Sequence, residues 1–337
     1  MAQRIDEFEL IRRHFAPLSE GEPGAMALRD DAAVLRPEPG MEFVISADSI
    51  VAGVHFPDTT CPDDIARRAL RVNLSDIAAK GARPRAYTLA LMLPDDTNED
   101  WLSAFAGALA AEQDAFGIFL VGGDTTRTPG PLTITVNIFG QVTENKIITR
   151  SGGAVGDDIY VTGCIGDAAL GLAVATGCLH AEDPSDAAAL AARFFGPDPR
   201  VGVGSSLVGV ASAAADVSDG LVADLAHICA ASGLAAEIIQ DLVPLSDAAE
   251  RVVTDNQLLQ TWLLTGGDDY EIVFSAPFAA RDTVSLIAAK TAVRITRVGR
   301  LIPPVPGGST VIVRDANGDA VELGNGGYSH FWKGGAG

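Results

Sequence analysis

A polar, glycine-rich segment in the middle of the chain, TENKIITRSGGAVG at 143–156, separates two stretches with the same kind of pattern. In the first stretch, the short apolar runs 43–47 and 86–93 flank a segment whose apolar residues recur at helical spacing. The second stretch again alternates strand-like runs with alanine-rich helical segments. Strands that alternate with helices are typical of α/β domains. We therefore predict two α/β domains, 1–148 and 149–337.

Periodicity also places the individual elements within the 337 residues. The predicted strands are 43–47, 86–93, 117–121, 132–142, 159–162, 213–217, 271–275, 295–301 and 310–314. The predicted helices are 1–15, 62–80, 101–115, 167–176, 185–195, 221–232 and 281–290. The strand at 132–142 alternates apolar and polar residues, so we expect one of its faces to be buried.

The net charge of the chain limits which classes of partner it can bind. Lys and Arg total 24 against 44 Asp and Glu, which gives a formal net charge of −20. Such a surface repels phosphate backbones and anionic lipid, so we expect no nucleic-acid and no membrane partner. The charged segment 1–15 lacks the apolar core of a secretion signal, and the apolar run 201–215 is too short to cross a bilayer. We expect a cytoplasmic protein.

Six acidic clusters lie beside glycines or at predicted strand ends. They are Asp30-Asp31, Asp48, Asn73 to Asp76, Gly122 to Thr125, Asp216 to Gly220 and Gly266 to Glu271. Ligands of open α/β sheets bind at the carboxyl ends of strands, so these carboxylates are expected to converge. Hard oxygen donors without His or Cys favour Mg²⁺, Mn²⁺ or Ca²⁺, of which Mg²⁺ is the usual intracellular choice. Any one cluster taken alone is better explained as a helix cap, a turn or a solvated surface charge, but that explanation does not account for all six together.

Several common mechanisms are excluded by spacing. None of the four lysines follows a glycine, so the Walker phosphate-binding loop is absent. Ser218 lies in VSDG rather than in the GxSxG elbow of a serine hydrolase. Asp216 and Asp219 stand three apart, whereas the nucleophile and acid of an aspartyl phosphatase stand two apart. We therefore predict no covalent nucleophile.

The motifs form an ordered set along nearly the whole chain. They are RDDAAV, SADSIVAGVHF, VNLSDIAAKGA, VGGDTTR, RSG, VSDGL, GGDDYE and GYSHF. In this order they resemble the thiamine-monophosphate kinase family, which belongs to the superfamily of aminoimidazole ribonucleotide synthetase. VAGVHF and the terminal GYSHF distinguish this family from its superfamily relatives.

The resemblance implies an α/β (α+β) fold of the aminoimidazole ribonucleotide synthetase type. It implies a homodimer whose amino-terminal sheets pair across the two-fold axis, and a carboxy-terminal domain with a mixed sheet and helices. The implied reaction is direct in-line transfer from ATP, the co-substrate, to thiamine monophosphate between phosphates bound to several Mg²⁺ ions. The product is thiamine diphosphate, and no general base is needed because a phosphate acceptor is mostly dianionic at neutral pH.

The resemblance also implies the site residues, which are carried over motif by motif. The implied metal ligands are Asp31, Ser46, Ala47 through its carbonyl, Asp48, Asp76, Asp124, Asp216 and Asp219. The implied ATP contacts are Gly123, Asp124, Arg150 and Ser218, and the implied contacts to thiamine monophosphate are His55, Asp268 and Tyr328.

Three positions depart from the family pattern. Arg29 stands in place of a glycine, Ala47 in place of a threonine and Asp268 in place of the more usual glutamate. Because arginine resists positive φ, Arg29 is expected to alter its loop. Two other functions stay open at this point: another ATP-dependent enzyme of the superfamily that acts on a ribonucleotide amide, and a non-enzymatic metal-binding scaffold.

Overall fold

The computed structural model describes residues 7–254, 257–308 and 310–323. Within these ranges, no helix is both long enough and apolar enough to span a membrane. The chain divides into two compact units, the first formed by Met1–Ala78 with Ala82–Ile147 and the second by Ala79–Gly81 with Ile148–Gly337.

The first unit is built on a four-stranded sheet. Its strands are β1 (Met41–Val51), β2 (Arg83–Leu93), β3 (Phe119–Arg127) and β4 (Thr133–Thr143), in the order β1-β4-β2-β3. β4 is antiparallel to both neighbours, and β2 and β3 run parallel. As its alternation predicts, β4 buries Ile134, Val136 and Ile138.

Two long helices accompany this sheet. α2 (Pro62–Ala79) has Asp63 and Asp64 in its first turn, where negative carboxylates interact favourably with the positive end of the helix dipole. In α3 (Glu99–Phe116), the Asn98 side chain accepts the Trp101 N–H, and Gly117 ends the helix at φ 65°. The amino-terminal helix α1 (Glu7–Leu10) continues as a π-helix over Ile11–Phe15.

Two expected strand ends lie inside strands. β1 runs past Asp48 to Val51, and β3 runs through Gly122-Gly123-Asp124 to Arg127. At Gly123, φ is 154° and a Cβ would lie 1.8 Å from the Leu89 carbonyl oxygen. Glycine therefore lets β3 stay paired with β2 where a larger residue would separate them.

The second unit carries a six-stranded mixed sheet. Its strands are β5 (Asp158–Thr162), β6 (Ala213–Asp216), β7 (Ala235–Ile239), β8 (Ile272–Ala276), β9 (Ile295–Ile302) and β10 (Val311–Arg314), in the order β10-β7-β9-β5-β8-β6. Its helices are α4 (Asp167–Ala175), α5 (Pro184–Phe195), α6 (Val201–Leu207), α7 (Leu221–Ser232), α8 (Asp247–Val253), α9 (Gln257–Thr265) and α10 (Arg281–Thr291). Sequence patterns missed β7, α6, α8 and α9.

The core of this unit lies around β5 and β8, whose residues are all buried. α7 packs Leu225 and Ile228 against the same cluster as Val161 and Val273. The carboxyl end of β6 and the start of β8 thereby present two acidic motifs next to each other.

Candidate active site

In the first unit, a polar group joins β1 to α2. The Ser46 hydroxyl donates to Asp76 Oδ2 at 2.5 Å. The Asp48 N–H donates to Asn73 Oδ1 at 2.9 Å, and the buried Asn73 amide donates to the Ala69 carbonyl within α2. Asn73 thus fixes the backbone at Asp48, whose side chain is exposed.

A second polar group lies on β3, beside a cavity of about 580 Å³. Gly123, Asp124 and Asp31 line the cavity together with apolar side chains of the amino-terminal helix, including Phe8 and Phe15. The volume falls within the range of small-ligand pockets. The structure therefore brings three of the implied ATP and metal residues to one concave surface.

Strand pairing sets the separation between these two groups. Asp48 pairs with Val136, Val136 with Leu89, and Leu89 with Gly123, so one row crosses all four strands. Asp48 and Gly123 are therefore three strand spacings apart, about 14 Å along the sheet.

His55 sits just beyond β1, and its ring orientation is defined. Its Nδ1 lies 3.1 Å from the Val51 N–H and accepts from it. Because Nδ1 is the acceptor, Nε2 carries the proton in the neutral ring. His55 is half-buried and offers an N–H donor at Nε2.

The loop before Asp30 is strained, although not where the sequence predicted. Arg29 has φ −109°, which any residue adopts, so the glycine usual in the family is not required here. Instead, Met26, Ala27 and Leu28 have φ of 52°, 54° and 52°, respectively. Ala27 and Leu28 also line the cavity.

In the second unit, the VSDG and GGDDYE motifs are joined through their backbones. The Asp268 N–H donates to the Ser218 carbonyl at 2.9 Å, and the Tyr270 N–H donates to the Val217 carbonyl at 2.8 Å. A Cβ on Gly267 would lie 2.2 Å from the Ser218 oxygen. Glycine is therefore required for this close approach, and the two motifs form one surface.

Asp224 supports the VSDG side of this surface. Its Oδ2 accepts the N–H groups of Ser218 at 2.9 Å and of Asp219 at 3.0 Å. Burial raises the pKa of Asp224 to about 7, although the hydrogen bonds from the Asp219 and Ser218 N–H groups and, to a smaller extent, the charge of Arg150 lower it. Asp219, Asp224 and His227 offer ligand atoms within 4.8 Å of one another.

Asp269 and Glu271 support the GGDDYE side. The fully buried Asp269 carboxylate accepts the N–H of Gly166 at 2.7 Å and of Ala168 at 3.2 Å, and burial raises its pKa. Glu271 is 0% exposed and accepts from Thr162, Arg193 and Arg200.

The expected residues therefore gather in groups within each unit. Ser46 with Asp76, Asp31 with Gly123 and Asp124, and Ser218 and Asp219 with Asp268 are the groups that form. Asp216 is 4% exposed at the end of β6. Tyr328 lies outside the described residues. Sequence reasoning assigned no role to the supporting residues Asn73, Asp224 and Asp269. Asn73 and Asp269 lie inside the acidic motifs, whereas Asp224 lies four residues after the VSDG motif.

Comparison with known families matches both halves of the chain. Residues 29–142 match the amino-terminal domain of AIR synthase related protein, and residues 154–310 match its carboxy-terminal domain.

Individual relatives extend the similarity to nearly the full chain. The thiamine-monophosphate kinase of Salmonella typhimurium is 42% identical over 326 residues, which cover 96% of this chain and 98% of that protein. The crystal structure of thiamine-monophosphate kinase from Stenotrophomonas maltophilia is 41% identical, with a TM-score of 0.78, and covers 87% of this chain and 91% of that one. The structure of AaThiL complexed with AMPPCP and TMP is 26% identical, with a TM-score of 0.75. The match covers 98% of this chain and 100% of that one.

Proposed function

Because the chain belongs to the thiamine-monophosphate kinase family, we propose that it transfers the terminal phosphoryl group of ATP to thiamine monophosphate, giving thiamine diphosphate and ADP. The observation that carries the proposal is 42% identity over 96% of the chain to a kinase of that name. The relative complexed with AMPPCP and TMP, covered over its whole length, supports both substrates.

ATP is assigned to the residues around Gly123. The cavity beside Gly123 and Asp124 has the size and the mixed apolar and polar lining that a nucleotide needs. In the second unit, the proposed ATP contacts are Arg150 and Ser218. The Asp224 carboxylate accepts the Ser218 N–H and so fixes the backbone at this proposed contact.

Thiamine monophosphate is assigned to His55, Asp268 and Tyr328. The Nε2 proton of His55 suits a phosphate oxygen, which only accepts hydrogen bonds. Asp268 is one methylene shorter than the usual glutamate, so its contact to the pyrimidine side of the substrate is proposed to run through water.

The donor set suits Mg²⁺. The proposed ligands are carboxylate, hydroxyl and carbonyl oxygens, from Asp31, Ser46, Ala47, Asp48, Asp76 and Asp124 in the first unit and Asp216 and Asp219 in the second. Asp31, Asp48 and Asp124 are exposed, so an ion can reach these side chains from solvent. When bound, Mg²⁺ would neutralise charge on both phosphate groups and screen their repulsion.

The protein's own contribution to the reaction is to position the phosphates. The acceptor phosphate is mostly dianionic at neutral pH, since its second pKa is about 6, so no side chain has to remove a proton. Gly123 lines the cavity and presents only backbone atoms there, which is the kind of surface that binds phosphate oxygens. Arg150 adds a guanidinium for charge-assisted hydrogen bonds to phosphate.

A homodimer is the proposed assembly. β1 lies at an edge of the first sheet, and its Ile45 is 63% exposed. An exposed apolar edge strand invites pairing, which a second copy would satisfy. Sedimentation at micromolar concentration should give a dimer mass for the wild type and a monomer mass for Ile45→Asp. A wild-type monomer would contradict the proposal.

The experiment that tests the activity is product identification. Purified protein is incubated with ATP, Mg²⁺ and thiamine monophosphate, and the products are separated by anion-exchange chromatography. Thiamine diphosphate and ADP should appear in equal amounts, with an aminoimidazole-type ribonucleotide substrate as the negative control. ATP turnover only with the ribonucleotide would favour the amide-activating alternative, and no turnover at all would favour a scaffold.

A further inference from the structure

The segment Asp268–Tyr270 has an unusual backbone for its residues. Asp268 has φ 74° and Tyr270 has φ 51°, although neither is glycine. Between them, Asp269 is fully buried, whereas Asp268 and Tyr270 are half-buried. Non-glycine residues keep positive φ only where surrounding contacts hold them there.

Backbone hydrogen bonds to Ser218 and Val217 hold the two ends of this segment, and a side-chain contact to α4 holds its middle residue. The N-cap residue Gly166 has no side chain to satisfy the first N–H groups of the helix. The Asp269 carboxylate supplies that cap from a position more than 100 residues later, accepting from Gly166 and Ala168. Asp269 therefore ties the strained segment to a regular helix.

The facing VSDG motif has its own separate anchor. Asp224, in the first turn of α7, accepts the N–H groups of Ser218 and Asp219. Two buried carboxylates, Asp224 in α7 and Asp269 in the segment 268–270, thus anchor the two sides of this surface, which backbone hydrogen bonds join.

We infer that Asp269 is a positioning residue for thiamine monophosphate: by capping α4, it holds Asp268 and Tyr270 in the left-handed conformation that presents Asp268 to that substrate. The inference rests on the proposed function, and it adds a residue that contacts neither substrate. Because Asp224 anchors Ser218 separately, loss of the Asp269 cap should weaken the binding of thiamine monophosphate far more than that of ATP.

The test compares three substitutions by steady-state kinetics with each substrate varied in turn. Asp269→Asn keeps one acceptor oxygen and turns an NH₂ group toward an N–H donor, whereas Asp269→Ala removes the cap. Asp158→Asn is the matched control, since it also weakens a buried carboxylate but lies at the opposite end of β5 from Thr162. Circular dichroism and thermal unfolding establish that each variant is folded.

For Asp269→Asn, the KM for thiamine monophosphate should rise about tenfold, the effect of one lost hydrogen bond, with a larger rise for Asp269→Ala. The KM for ATP should change little, and Asp158→Asn should leave both constants near the wild-type values. Asp224→Asn provides the converse comparison and should affect ATP more than thiamine monophosphate.

Equal weakening toward both substrates, no change in either, or the same selective loss in Asp224→Asn would overturn the inference. If Asp269→Ala does not fold, the Asn variant decides alone. A wild type that fails to phosphorylate thiamine monophosphate would overturn the proposed function before any variant is compared, so the two failures are distinguishable.

Discussion

The buried Glu271 is expected to be one of the most important single residues for the stability of the second unit. Its Oε1 accepts from Arg193 at 2.8 Å and from Arg200 at 2.6 Å, and its Oε2 accepts from Thr162 at 2.7 Å and from Arg200 at 2.6 Å. In Glu271→Gln, the amide carbonyl oxygen still accepts the two hydrogen bonds made to one of the carboxylate oxygens. The NH₂ group replaces the other oxygen and faces that oxygen's two donors, so those two hydrogen bonds are lost.

The magnitude follows from the lost bonds. Hydrogen bonds to charged groups contribute about 1.5–3 kcal/mol each, so losing two should cost roughly 3–6 kcal/mol. Breaking a buried ion pair costs about 3–5 kcal/mol, and because the Arg200 side chain is only 12% exposed we expect a loss in this narrower range. For a unit of this size, that corresponds to a fall in Tm of roughly 6–20 °C.

The assay needs a probe that reports only the second unit. The chain has three tryptophans, and replacing Trp101 and Trp332 by Phe leaves Trp262 of α9 as the single fluorophore. Urea unfolding followed at Trp262 then gives the free energy of unfolding of that unit.

A double-mutant cycle separates the pair from its surroundings. The double variant, Glu271→Gln with Arg200→Met, should lose less free energy of unfolding than the sum of the losses in the two single variants. The reason is that the double variant no longer leaves the Arg200 charge unpaired. A loss below about 1 kcal/mol in Glu271→Gln, or strict additivity in the cycle, would refute the reasoning.

Three further outcomes are expected. Asp76→Asn should lower kcat/KM on the order of a thousandfold while the fold is retained, measured over a Mg²⁺ titration, and near-normal kinetics would argue against the metal assignment. Arg281, followed by Arg297, lowers the pKa of Asp158, so this carboxylate stabilises the fold above its unfolded pKa and that gain is lost as pH falls through the lower folded value. Asp158→Asn should therefore be about 1–3 kcal/mol less stable than the wild type at pH 7, with the difference shrinking below about pH 4 in urea titrations. Tyr328→Ala should raise the KM for thiamine monophosphate and leave that for ATP nearly unchanged, because only thiamine carries a cationic ring that attracts an aromatic face; equal changes in both would contradict this.

Much of the fold follows from local pattern. The alternation in β4 and the helical period of α2 and α3 predict elements that the structure confirms within a few residues. By contrast, α6 (Val201–Leu207) is rich in glycine and serine, which weaken a helical signal. Its helix is stabilised by packing against residues that are distant in sequence, so a short stretch of sequence does not predict it.

The sequence predicts which types of residue form the candidate site, but it does not predict the buried residues that hold them in place. Asp48 and Gly123 look like strand ends because Asp and Gly are depleted in strands, yet pairing with β4 and β2 carries the strands past them. Asp269 and Glu271 look like surface charges because carboxylates are seldom buried. Their partners, at Gly166 and Arg200, are distant in sequence, so neither burial nor role can be derived from spacing.

The order β1-β4-β2-β3 has a consequence for the synthesis of the protein on the ribosome. Among the described strands, β1 pairs only with β4, and Met41 pairs with Thr143, so the first strand made waits for the last strand of its sheet. At about 5–20 residues per second, translation leaves β1 unpaired for roughly 5–20 s. During that time, its apolar residues are available to other nascent chains, and a ribosome stalled before residue 133 prolongs the exposure. Slower translation of 52–132 would therefore be expected to increase aggregation or the demand for a chaperone.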